Sequence, residues 1–230
     1  MTSNTITAEQ AKAKHILAMG DELGPIYDAL WQQVAWLHRK WSEYVVLFGT
    51  KESRVVLLNQ AAPSFARIVQ DSLWEDVLLH IARLTDPAKS AGKSNLSIQA
   101  LAALITHSAT KAAVESRTAE AVVASEFCRD WRNRHIAHRD LRLALEQAAE
   151  PLKPASRKKV GEALKALAAV LNAVANHYLG STTFFEIGAG HDGAMSMLSL
   201  LDAGLNAESS RRERLTSGRY APSDHKPRDL

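Results

Sequence analysis

Cysteine is all but missing from this chain: Cys128 stands alone among 230 residues, so no intramolecular disulfide can form. Long hydrophobic runs are missing too. The longest apolar stretches, Ala100 to Ile105 and Ala166 to Ala175, fall well short of the ~20 residues a bilayer span requires, and no membrane-spanning segment is expected. Met1 to Gln10 is polar, with no apolar stretch behind a basic start, and predicts no secretory leader. A chain with neither export signal nor disulfide is expected in the cytoplasm. A large charge of one sign is also lacking. The formal net charge is +3, too small to identify a polyanionic partner by itself. No period of twenty to fifty residues repeats, which argues against a solenoid.

What the chain does have is apolar residues at helical spacing. Hydrophobic residues make up 46% and charged residues 23%, enough for a substantial core. Ile26, Leu30, Val34, Leu37, Trp41, Val45 and Phe48 form one stripe, with Gly49 placed to end the helix. Pro63 can open a second helix carrying Phe65, Val69, Leu73, Val77 and Leu84, which stops at Asp86-Pro87. A loop from Pro87 to Ser94 and a short helix from Ser97 to His107 follow. From about Thr110 to Ile136 a longer helix has a narrow seam of Thr118, Ala121, Ser125, Cys128 and Arg132, mostly small residues that permit close approach by a neighbour. Val160, Leu164, Leu167, Leu171, Val174 and Tyr178 alternate steps of four and three, the pattern of a bundle helix.

A last stripe runs from Asp192 to Leu205, and the polar, basic residues after Asn206 suggest a poorly ordered tail. The expected architecture is therefore all-α: one helical domain over 1–207 with a tail over 208–230. Leu37, Trp41, Phe65, Val69, Leu73, Leu164, Leu167 and Leu171 are expected to be largely buried.

Several chemical leads are weak. Gly188 to Gly193 spells G-x-G-x-x-G behind the strand-like run Thr182 to Ile187. That turn binds pyrophosphate only within a strand–helix–strand unit, and no second strand follows, so we expect a turn and no dinucleotide cofactor. His135 and His138 could offer two imidazoles, but Arg132, Arg134 and Arg139 oppose a cation, and no metal is expected there. Cys128 reads as a buried, inert thiol and His80 as a core or boundary histidine. Trp31, Trp36, Trp41 and Trp74 read as packing residues.

The strongest lead is Arg132-Asn133-Arg134-His135-Ile136-Ala137-His138. Between Arg129 and Arg142 there are five arginines against two aspartates, a local excess equal to that of the whole chain. Such clusters concentrate anionic ligands. A second basic patch, Lys153 and Arg157 to Lys159, reads as solvated helix surface.

The string Arg132 to Asp140, "RNRHIAHRD", resembles the HEPN superfamily signature of an arginine, a polar residue and a later histidine, especially in its abortive-infection branch. Asp71 to Pro87, "DSLWEDVLLHIARLTDP", and Asn95 to Leu101, "NLSIQAL", are similar to that branch as well. Arg129 to His135 also satisfies the spacing, so a second register stays open; Asn133 favours the first. The resemblance implies an HEPN-type bundle with additional N- and C-terminal helices. It also implies a homodimer that joins two motifs in one basic cleft, and metal-independent endoribonuclease activity in phage defence or as a toxin. Arg132, Asn133 and His138 would be catalytic, with Arg129, Arg134, His135 and Arg139 on the RNA. An antitoxin or other defence-system partner is compatible with it. The alternative it leaves is a catalytically inactive HEPN module binding RNA, nucleotide or a partner protein.

RNA carries its own nucleophile, the 2′-hydroxyl, so cleavage needs proton transfer and charge stabilisation but no metal. Histidine suits the first task, and arginine's permanent planar fork suits the second. One geometric difficulty remains. On an uninterrupted helix, residues six apart differ by about 240° and about 9 Å in height, so the helix must loosen near Ile136 to Arg139 or a second subunit must help.

Overall fold

A computed structural model describes residues 7–147, 149–186, 192–219 and 221–225. It is all-α, as the stripes predict. The helices are α1 (Ala8–Phe48), α2 (Glu52–Ala61), α3 (Pro63–Leu84), α4 (Ser108–Ala124), α5 (Glu126–Trp131), α6 (Leu141–Ala144), α7 (Arg157–Tyr178) and α8 (Ala194–Thr216). Among the described residues the only strands are β1 (Lys89–Ser90) and β2 (Lys93–Ser94), an antiparallel pair. No helix among them is long and apolar enough to cross a membrane.

The chain divides into two compact units. The first comprises Met1–Trp41 and Ser72–Ile187, the second Ser42–Asp71 and Gly188–Leu230. Helices α1 and α3 each contribute residues to both, which is why continuous apolar stripes gave no sign of a boundary.

In the first unit α1 is two limbs. Gly20 has φ 83° and ψ 173°, outside helical space and in a region that favours glycine. The chain doubles back there: a Cβ on Gly24 would lie 2.6 Å from the Ile16 Cα. His15 packs edge-on against Tyr27 with centroids 5.1 Å apart, and its Nδ1 lies 2.8 Å from Asp28 Oδ1.

Leu30, Val34 and Leu37 of α1 join Val77, Leu78 and Ile81 of α3 and Leu164, Leu167 and Leu171 of α7 in one core. The α7 stripe is buried as its spacing predicts. Ser156 caps its start by accepting from Lys159 N–H, and Gly180 follows its end at φ 59°. Truncating one of these leucines to alanine costs about 2–5 kcal/mol.

The α3 stripe departs from expectation: Phe65 is 62% exposed, and Val69 and Leu73 are only half-buried. Trp41 is also half-buried. An i+4 row rotates about 40° per step, so the row from Phe65 to Val77 turns about 120° around the helix. The buried face instead carries Val77, Leu78, Ile81, Ala82 and Thr85.

The small-residue seam is filled by this chain itself. Ala121, Ser125 and Cys128 are fully buried, and α4 packs mainly against α7. The Ser125 hydroxyl donates to the Ala121 carbonyl at 2.7 Å, and the helix breaks there before α5 begins.

In the second unit α2 packs on α8, whose first N–H group, at Ala194, is accepted by Glu43 at 2.7 Å. Within the segment expected as a tail from residue 208, α8 continues to Thr216. Arg214 then holds Asp224 through two hydrogen bonds, at 2.7 and 3.1 Å. A run of alternating Arg and Glu at three- and four-residue spacing reads as polar tail, yet supports a solvated helix.

Candidate functional site

The site begins where α3 ends. Pro87 stops the helix and leaves the last carbonyls without helical donors. Side chains from elsewhere supply them. Ser97 Oγ donates to the Leu84 carbonyl at 3.2 Å and to that of Asp86, while Gln99 Nε2 donates to the Thr85 carbonyl at 2.8 Å. Arg129 Nη2 reaches the same Thr85 carbonyl at 3.0 Å, a cation placed at the negative end of the helix dipole. The expected helix from Ser97 to His107 is two short 3₁₀ turns, Ile98–Ala100 and Ala102–Leu104, which set these two side chains against α3. The preceding loop is a tight hairpin, with Ala91 at φ 47° and Gly92 at φ 77° between β1 and β2.

Against this end lies Arg132–Ile136, which forms a π-turn. Ala137 N–H donates to the Arg132 carbonyl at 2.8 Å, five residues back, and Asp140 N–H reaches the Arg134 carbonyl at 3.0 Å. The loosening expected at Ile136 to Arg139 therefore begins earlier, at Arg132. Single π-turns are uncommon and concentrate at functional positions.

Arg132 Nη1 donates to Asp86 Oδ2 at 2.5 Å, and Arg132 Nε donates to Asn133 Oδ1 at 2.9 Å. Arg129 Nε lies 3.9 Å from the other Asp86 oxygen. One carboxylate thus faces two guanidinium groups, with each side chain between a fifth and a third exposed.

The HEPN_AbiU2 family model, described as AbiU2, matches residues 20–194, or 175 of the 230. The chain belongs to the HEPN AbiU2 family. No curated protein and no solved structure matches it. The family links the chain to abortive infection, and its HEPN bundle accounts for the all-helical fold.

Within one HEPN AbiU2 chain the motif side chains do not all converge. Arg132, Asn133 and Arg129 gather around Asp86. His138 and Arg139 are exposed, and among the described residues neither has a side-chain bond partner. Arg134 is committed to the protomer: it lies 3.5 Å from Asp130 and 3.7 Å from Asp140, and donates to the carbonyls of Glu150 and Pro151. Asp140 in turn caps α6 by accepting from Leu143 N–H, and that bond, with Arg134 beside it, lowers its carboxyl pKa. His135 Nε2 sits 3.5 Å from Glu75, and its ring meets Trp131 edge-on at 5.3 Å. Trp131, Trp74 and Trp41 form a chain of ring contacts at 6.5 and 6.1 Å, so these tryptophans do pack.

Trp36 does not. It is 60% exposed, against the packing role its spacing suggested. It lines a 440 Å³ cleft that Asp86 also borders, together with Lys40, His80 and Arg83. Asp86 and this cleft are what sequence reasoning missed. The one available signal was Asp86-Pro87 at the end of the α3 pattern, and a partner 46 residues away leaves no local trace.

Among the described residues no group of three or more His, Cys, Asp or Glu could hold a metal ion. Burial raises the Cys128 thiol to about 12, with Arg129 pulling the other way, so it is not a nucleophile near neutral pH. Of the glycine-rich turn, Gly188 to His191 lie outside the described residues.

Proposed function

We propose that this HEPN AbiU2 protein is a metal-independent endoribonuclease of phage defence, with Arg132 and His138 working at a cleft between two protomers. The observation that carries the proposal is the π-turn at the motif. It holds Arg132 and Asn133 together as a polar fork and leaves His138 exposed, with no side-chain partner among the described residues. In this reaction His138 takes the proton from a 2′-hydroxyl, whose oxygen attacks the adjacent phosphorus. The bond from phosphorus to the 5′-oxygen breaks, that oxygen takes a proton from solvent water, and a 2′,3′-cyclic phosphate remains. Arg132 stabilises the charge on the phosphoryl oxygens, and Asn133 orients the guanidinium. Arg129 and Arg139 add positive charge for the strand. A second copy of the chain supplies the complementary half of the site.

Purified protein should cleave a mixed RNA in the presence of EDTA, and Arg132→Ala and His138→Ala should each abolish cleavage with helicity unchanged. Mixing the two inactive variants should restore part of the activity, since one composite site then keeps both residues. Cleavage surviving both substitutions, or a strictly monomeric protein at micromolar concentration, defeats the proposal.

A second reading is favoured by the Arg132–Asp86 pair: with its arginine already neutralised, the chain is an inactive module that binds RNA. Wild type that binds RNA without cutting it would select this reading.

A further inference from the structure

The cleft beside Asp86 is built from two helix faces of the first unit. Gln33, Trp36 and Lys40 follow steps of three and four on α1; Asp76, His80 and Arg83 follow steps of four and three on α3. Its volume of 440 Å³ is in the range of small-ligand sites.

The charges in the cleft are mostly matched. Lys40 Nζ bonds to Asp76 and lies 3.1 Å from His80 Nδ1, while Asp86 faces Arg132 and Arg129. Arg83 is the exception: it is exposed and, among the described residues, has no side-chain partner. His80 is buried and its pKa is pushed down to about 4, by burial first and then by Lys40. With Nδ1 accepting from Lys40, the neutral ring keeps its proton on Nε2 as a fixed donor. Trp36 at 60% exposure and Leu96 at 42% supply apolar surface, and the Gln33 carboxamide also lines the cleft, with no bond partner among the described residues. One open aromatic face, one unmatched cation and several fixed donors describe a site for a planar, acceptor-bearing ring joined to a single negative charge.

We infer that this cleft receives one nucleotide of the RNA strand, its base on the Trp36 face and its phosphate beside Arg83, next to the bond that Arg132 addresses. The inference rests on the ribonuclease reading and adds the element that selects where the strand is cut. Asp86 connects the two places. Donors outnumber free acceptors, so guanine, with O6 and N7 adjacent, fits better than adenine.

The probe is a fluorescent RNA decamer with 2′-O-methyl groups throughout, which binds but cannot be cut. Full-length Trp36→Ala should bind it about tenfold more weakly, Trp36→Phe within about threefold of wild type, and Phe184→Ala, exposed elsewhere, like wild type. A decamer with one abasic residue at the occupied position should show no difference between wild type and Trp36→Ala. Arg83→Gln should reduce the slope of log affinity against log salt by about one. Circular dichroism of each variant should match wild type, and the Phe variant separates loss of stacking from loss of fold.

Trp36→Ala binding as wild type does, while Arg132→Ala does not, would overturn the cleft and leave the ribonuclease reading intact. Wild type that neither binds nor cuts RNA would overturn both. Free guanosine monophosphate binding as tightly as the decamer, with the same dependence on Trp36, would overturn the assignment to a strand.

Discussion

Replacing Asp86 by asparagine keeps the shape of the side chain and removes the charge that two arginines face. The bond lost is Arg132 Nη1 to Asp86 Oδ2, at 2.5 Å, together with the weaker approach of Arg129 Nε at 3.9 Å. At an effective dielectric of 20, charges 4 Å apart attract by about 4 kcal/mol. Desolvation offsets part of this, and both Asp86 and Arg132 remain about one-fifth exposed. A charge-assisted hydrogen bond contributes roughly 1.5–3 kcal/mol net, so we expect a loss of about 2 kcal/mol. For a protein of this size that lowers the melting temperature by about 4–8 °C.

The same change should strengthen RNA binding. In the wild type a phosphate must displace the Asp86 carboxylate from the Arg132 fork; with asparagine it need not, and affinity should rise about three- to tenfold. Thermal unfolding by circular dichroism and anisotropy with the 2′-O-methyl decamer at one fixed salt concentration measure the two effects. A melting temperature within about 1 °C of wild type would show that the pair contributes nothing. Affinity falling as it does in Arg132→Ala would show that Asp86 positions the arginine rather than competing for it.

Acid should act through His80, whose folded pKa of about 4 lies below the unfolded value. The unfolded chain then binds the proton first, so the contribution is present above about pH 6.5 and is lost as pH falls toward 4. Wild type should lose roughly 2 kcal/mol between pH 7 and 5, read from urea midpoints, and His80→Gln distinctly less. Equal losses would contradict this. Cys128 should resist thiol reagents at pH 8 in the folded protein and react after denaturation; rapid labelling in the native state would show that the α4–α7 packing opens. Gly24→Ala places a methyl 2.6 Å from the Ile16 Cα, and should cost about 1–3 kcal/mol in a denaturant titration; an unchanged midpoint would mean the two limbs of α1 separate freely.

The α7 stripe was legible in full because one helix face meets one core along its whole length. The α3 stripe was legible only in its second half. Residues 63–71 and 72–84 belong to different units, so no single phase describes both. Gly20 was invisible: a lone glycine in an otherwise helical run gives no sign that the chain reverses there. Of the candidate site, Arg132, Asn133 and His138 could be read as a local motif. Asp86 could not, since an ion pair across 46 residues depends on where α3 stops relative to the motif. The similarity of "NLSIQAL" gains a physical basis in Ser97 and Gln99, which complete the hydrogen bonding of the α3 end that presents Asp86.

The π-turn amounts to one surplus residue stored in a helix. Exchanging a five-residue closure for a four-residue one at Ala137, and the reverse at a neighbouring position, moves the surplus along the chain without unfolding it. Each such slip turns the residue the surplus passes by about 100° and leaves the chain on either side as it was. A change of backbone partner alone therefore re-aims single side chains within Arg132–Ile136 without lengthening or unfolding the segment.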